Sequence, residues 1–201
     1  MPGEAAVRID GRLARSERSR RAVVDAMLDL IESGDERPTA ARIAERAGVS
    51  LRSVFQHFEN LEVLLATAAD RQFARLRPLL KPIDLDGTRA DRLRIFAARR
   101  ARLLESLAPV RRAALREEAR SPVIAHRLRR FRELGRLEVE RVFARELAAL
   151  GEVDRRDAVS SLAAAASFST WDELRRHQEL SPARARRVLA RMLDRLVPGG
   201  P

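Results

Sequence analysis

Thr39-Ala-Ala-Arg-Ile-Ala-Glu-Arg-Ala-Gly-Val-Ser-Leu-Arg-Ser-Val-Phe-Gln-His-Phe58 is the stretch on which the reading of this 201-residue chain turns. Thr39 is placed to cap a short helix, Ala40 to Ala47, whose Ile43, Ala44 and Ala47 share one face. Gly48-Val49-Ser50 then supplies a residue tolerant of positive φ, an apolar valine and a serine cap for a next helix, Leu51 to Phe58. Two short helices joined by a three-residue turn containing glycine form a helix-turn-helix. Ala44 and Ala47 are small enough for close approach, while Val49, Val54 and Phe58 fill the wedge against a preceding helix. Leu51, Arg52, Ser53, Phe55, Gln56 and His57 are left on or near the outer face, a mixture with donors suited to base edges and phosphates.

Working outward, the preceding helix is expected to start at Ser16 or Ser19 and to stop at Gly34, with Val23, Met27, Leu30 and Ile31 on one face. Residues 1–15 then form a flexible arm, residues 16–60 a three-helix DNA-binding head, and residues 61–201 a second region. Asn60 caps a fourth helix that Pro78 and Pro82 stop after Arg77. Thr88 with Asp91 opens a fifth, to Leu107, and Pro109 opens a short sixth. Ser121-Pro122 begins a seventh, to Leu150; Asp154 with Asp157 an eighth, through Trp171 to His177; Ser181-Pro182 a ninth, to Val197. The fold class is all-α, with about nine helices. Aromatics are 4% and β-branched runs are missing, so nothing argues for strands.

Composition bounds the function. Hydrophobic residues at 45% and charged residues at 34% allow a buried core with a solvated surface, against disorder. The net charge of +11 suggests nucleic acid, but residues 1–60 hold ten Arg against ten Asp or Glu, whereas residues 70–150 hold 21 basic against 11 acidic residues. The bulk charge therefore lies outside the expected head. Without cysteine there is no disulfide, thiol switch or thiolate metal site, which fits the cytoplasm. Ala158 to Trp171 is too short and too rich in serine and alanine to span a bilayer, and the N-terminus, with Arg8, Arg12 and Arg15, does not read as a secretory signal.

From about residue 16 to 66 the chain resembles the DNA-binding segment of the TetR/AcrR family of bacterial regulators, down to the His57-Phe58 pair and the Leu64 that follows it. The resemblance implies that Thr39, Ser50, Arg52, Ser53, Gln56 and His57 face DNA. It also implies a homodimer bound to a pseudo-palindromic double-stranded operator, and more often a repressor than an activator. Two departures stand out: Phe55 replaces a tyrosine whose hydroxyl touches phosphate, and Leu61 stands where a lysine is frequent.

For the second region the family implies a dimer interface on the last two helices, where Ala163, Ser167, Trp171, Val188, Met192 and Leu196 are the candidates and Trp171 the anchor. The alternative is that these faces pack within one subunit. A small-molecule inducer is expected near Phe73, Phe96, Leu103, Phe131 and Phe168, although phenylalanines at helical spacing are also core residues. One of Arg99, Arg100 and Arg102, or of Arg127, Arg129, Arg130 and Arg132, can turn inward to meet an anionic ligand. No catalytic residue, metal ligand or cofactor site is assigned: Glu-x-x-His, a glycine-rich phosphate loop and Gly-x-Ser-x-Gly are all missing, and Glu173 with His177 reads as a surface pair. Phe55 and Leu61 keep a second reading open, a helical adaptor that has lost specific DNA binding.

Overall fold

A computed structural model describes residues 3–84 and 86–199, the side chains of 3–10 excepted, and every regular element among them is helical. The contacts form two compact units, residues 1–74 with 109–126, and 75–108 with 127–201. The sequence suggests a head ending at residue 60; the first unit extends beyond it, because the next helix buries Leu64, Leu65 and Ala68.

In the first unit α1 (Gly3–Glu32), α2 (Ala40–Ala47), α3 (Leu51–His57) and α4 (Leu61–Arg75) follow one another. Val23, Leu28, Ile43, Val54, Phe58 and Leu64 are buried there, and the Arg20 guanidinium lies 5.0 Å from the centre of the Phe58 ring. Asp25 of α1 meets Arg71 of α4 at 2.7 Å. The first helix starts at Gly3 rather than at Ser16 or Ser19. Ala, Arg, Glu and Leu dominate the residues before Ser16 and no proline interrupts them, so helix propensity carries through. Ser19 spends its hydroxyl on His57 instead of on a cap. The expected arm thus belongs to α1 from Gly3 onward, and residues 1 and 2 lie outside the described residues.

After α4 come a 3-10 turn (Arg77–Leu80), α5 (Arg89–Glu117), α6 (Pro122–Val142), α7 (Ala144–Leu147), α8 (Glu152–Ala165), α9 (Phe168–Asp172) with a π turn (Glu173–His177), and α10 (Pro182–Leu196). The expected starts at Thr88, Ser121 and Ser181 are present: each side-chain oxygen accepts the N–H three residues on, at 3.2, 3.1 and 3.3 Å.

Three helix boundaries depart from expectation. Pro109 opens no separate helix but sits inside α5; it removes one backbone donor, and the helix continues because Leu107, Ala108, Val110 and Ala113 around it are buried. The helix from Pro122 breaks at Phe143 (φ −109°, ψ 23°), whose buried ring meets Phe96 edge-on with centroids 5.5 Å apart. The eighth helix does not run through Trp171; it stops at Ala165, and Ser167 caps α9 by accepting the Thr170 N–H at 3.2 Å. A serine side chain that competes for backbone donors favours such a break.

Candidate nucleic-acid interface

The turn between α2 and α3 is built by local chemistry. Thr39 Oγ1 accepts from the Arg42 N–H at 3.4 Å and sets the start of α2. Gly48 takes φ 65°, ψ 34°, a conformation that costs any residue with a Cβ, and its N–H and that of Val49 satisfy the Glu45 and Ala44 carbonyls. Ser50 then accepts the Ser53 N–H at 3.1 Å, starting α3. Val54 and Phe58 are buried beneath, so α3 is fixed by one face only.

The other face is open. Leu51 and Phe55 are 47% and 50% exposed, and Arg52 and Gln56 are exposed beside them. At spacings of three and four residues these four form one outward row, with a guanidinium and a carboxamide able to donate and a phenyl ring able to make apolar contact. Thr39 and Ser50 are exposed at the two helix starts. Ser53 is half-buried with its hydroxyl 2.9 Å from that of Ser50, and half-buried His57 has Nε2 3.1 Å from Ser19 Oγ of α1. The imidazole is thereby held against the first helix by one ring nitrogen, an orientation that the sequence pattern does not reveal.

The residues suggested for an inducer do not gather in one place. Phe73 is half-buried and falls in the first unit, whereas Phe96, Leu103, Phe131 and Phe168 fall in the second. Phe96, Leu103 and Phe168 are buried, Phe96 against Phe143, which is core packing. One of the suggested arginines does turn inward. Arg100 is 6% exposed; its Nε donates to the Ala166 carbonyl at 2.8 Å, Nη1 lies 3.3 Å from Glu138, and the guanidinium stands 6.0 Å from the centre of the Phe131 ring. Arg99 pairs with the same carboxylate. Burial, and then the neighbouring charge of Arg99, push the Arg100 pKa down to about 10. Gly135 leaves room for this group, since a Cβ there would come within 2.6 Å of Arg100 Nη2. Nothing in the sequence singles out Glu138 or Gly135 as its partners.

Trp171 is buried inside the second unit, with its indole N–H donating to Glu105 at 2.9 Å and Arg175 bracing the same carboxylate. It is therefore unavailable as an exposed anchor: the ring is core and its one polar atom is satisfied within the chain. Ala163 and Ser167 are half-buried, the latter as the cap of α9. Val188, Met192 and Leu196 share an outer face of α10 with Arg191 and Arg195, and remain partly open. Among the described residues no cluster of His, Asp and Glu has metal-site geometry, and no helix is long and apolar enough to cross a membrane.

Neither a family model nor any curated protein matches the chain. Among solved structures it is similar to the crystal structure of a transcriptional regulator from Rhodococcus sp. Rha1, with a TM-score of 0.68 and 23% identity over 90% of this chain and 95% of that one. The two share a fold: an all-α architecture that carries a helix-turn-helix near its start in this chain.

Proposed function

We propose that this chain is a sequence-specific DNA-binding transcriptional regulator of the TetR kind, acting as a ligand-responsive repressor in the cytoplasm. The observation that carries the reading is α3: a helix anchored by Val54 and capped by Ser50 that presents Leu51, Arg52, Phe55 and Gln56 to solvent. A scaffold helix has no need of that row, whereas a recognition helix in a major groove does. The fold shared with a transcriptional regulator supports the same reading. One such helix reads only a few base pairs, so specificity calls for two heads on half-sites ~34–36 Å apart, a homodimer on a pseudo-palindromic operator. The open α10 face at Val188, Met192 and Leu196, next to half-buried Ala163 and Ser167, is the surface offered to the second subunit. An inducer would act through the second unit, near Phe131 and Arg100. No catalytic step is part of this reading.

The test is selection of genomic fragments by the purified protein across a salt series, followed by sequencing. A recovered pseudo-palindrome whose retention falls with salt is the expected result. The apolar exposure of Leu51 and Phe55 favours one other reading, a helical adaptor that docks on protein. Weak, sequence-blind retention would overturn the regulator and favour that adaptor.

A further inference from the structure

We propose that the first unit carries its own small-molecule site, for an amphipathic organic monocation, in a cleft bounded by α1, α4, the end of α5 and the loop before α2. The cleft has a volume of about 360 Å3, within the range of small-ligand sites. Met27, Ile31, Leu61, Leu65 and Ala113 give it apolar walls, and Glu36, Glu62 and Glu117 bring carboxylates to the same space. The charges do not balance. Arg116 pairs with Glu36 and Arg37 with Glu117, the latter at 3.2 Å, but Glu62 accepts only the Ser121 hydroxyl, and among the described residues no cation pairs with it. Three carboxylates against two guanidiniums leave one negative charge beside an apolar wall.

That arrangement selects its ligand. An anion would be repelled, and a neutral apolar ligand would strip water from the Glu62 carboxylate and return nothing. An ammonium on an apolar body places its charge at the carboxylate and its body against Met27 and Leu65. Arg37 is no obstacle, because its side chain is 67% exposed and a pair so exposed is weak and exchangeable. Thr39 lines the cleft and also caps α2, so occupancy reaches the start of the helix-turn-helix; that consequence, unlike binding itself, rests on the DNA-binding reading.

Methionine-methyl NMR on the full chain tests the site, with benzyltriethylammonium as probe. Of the three methionines, Met27 lines the cleft and Met192 lies on α10, serving as an internal control. A saturable shift of the Met27 methyl is expected, with Met192 unmoved. Glu62→Gln keeps the shape and should weaken the probe by about tenfold or more, the scale of a lost charge-assisted contact. Ala113→Leu, which fills the floor, should abolish the Met27 response while the thermal melt stays cooperative. No Met27 shift at millimolar probe, a shift at Met192 instead, equal binding by the neutral N-benzylpropanamide, or insensitivity to Glu62→Gln would each overturn the proposal. None of these readings involves DNA, so failure to find an operator leaves them standing.

Discussion

Two helix stops in this molecule use the same device and differ in what makes them work. At Gly48–Ser50 and at Ala166–Ser167 a helix ends and a serine caps the next by accepting the N–H three residues on, at 3.1 Å from Ser50 and 3.2 Å from Ser167. In the first unit everything else is local. Gly48 takes the left-handed conformation, and its N–H and that of Val49 satisfy the carbonyls that the ending helix leaves behind. In the second unit no glycine is present, and the Ala166 carbonyl is met by Arg100, 66 residues away in the chain. A local stop is written where it occurs. A distant one depends on whether a charged side chain can be held in the core.

The largest effect should follow from breaking the distant stop. Glu138→Leu leaves Arg99 and Arg100 buried without their shared carboxylate, and should cost about 3–5 kcal/mol, read as a lower urea midpoint. Arg100→Met should cost less, because Arg99 still meets Glu138 and only the Ala166 carbonyl loses its donor. A Glu138→Leu protein as stable as its parent would mean that the break at Ala166 is set by Ser167 alone, and the contrast between the two stops would disappear.

Next in size is a prediction about the open face of α3. If Arg52 reads a guanine, Arg52→Ala should weaken operator binding by ~1–3 kcal/mol and relax preference at one base position per half-site. Equal weakening on all sequences would assign the guanidinium to phosphate. Gly48→Ala comes third: a Cβ at φ 65° should cost about 1–2 kcal/mol even though nothing lies within 4 Å to clash with it. The loss is conformational, so hydrogen exchange should report it first in α2 and α3. An unchanged midpoint would show that the turn relaxes to negative φ.

This contrast also accounts for what the sequence reveals. Helix starts are legible at Thr39, Ser50, Asn60, Thr88, Ser121 and Ser181, because a cap needs only a side-chain oxygen and a donor a few residues on. Helix ends are less so. Pro109 reads as a boundary but lies within α5, and Phe143 reads as mid-helix but ends α6, since burial of neighbouring apolar groups outweighs local preference. In the candidate interface the outward placement of Leu51, Arg52, Phe55 and Gln56 follows from 3.6-residue periodicity, whereas the His57–Ser19 contact joins α3 to α1 and no pattern within α3 signals it. Trp171 is read from its large apolar surface as an anchor between subunits. Glu105, 66 residues earlier, makes it a core residue instead.

The smallest expected effect separates two roles of one hydroxyl. Ser50 Oγ caps α3, and by resemblance the same group faces DNA. Ser50→Ala removes both functions and should lower stability by about 1 kcal/mol, whereas Ser50→Gly should lower it by only a few tenths, because glycine is itself tolerated at a helix start. Stability and DNA affinity should therefore separate. If the hydroxyl touches phosphate, both variants lose affinity alike although only Ser50→Ala loses stability. If Ser50 serves α3 alone, affinity tracks stability and Ser50→Gly binds nearly as well as the parent. Measuring both quantities for both variants at one salt concentration distinguishes the cases, since a phosphate contact weakens binding whatever the state of the helix behind it.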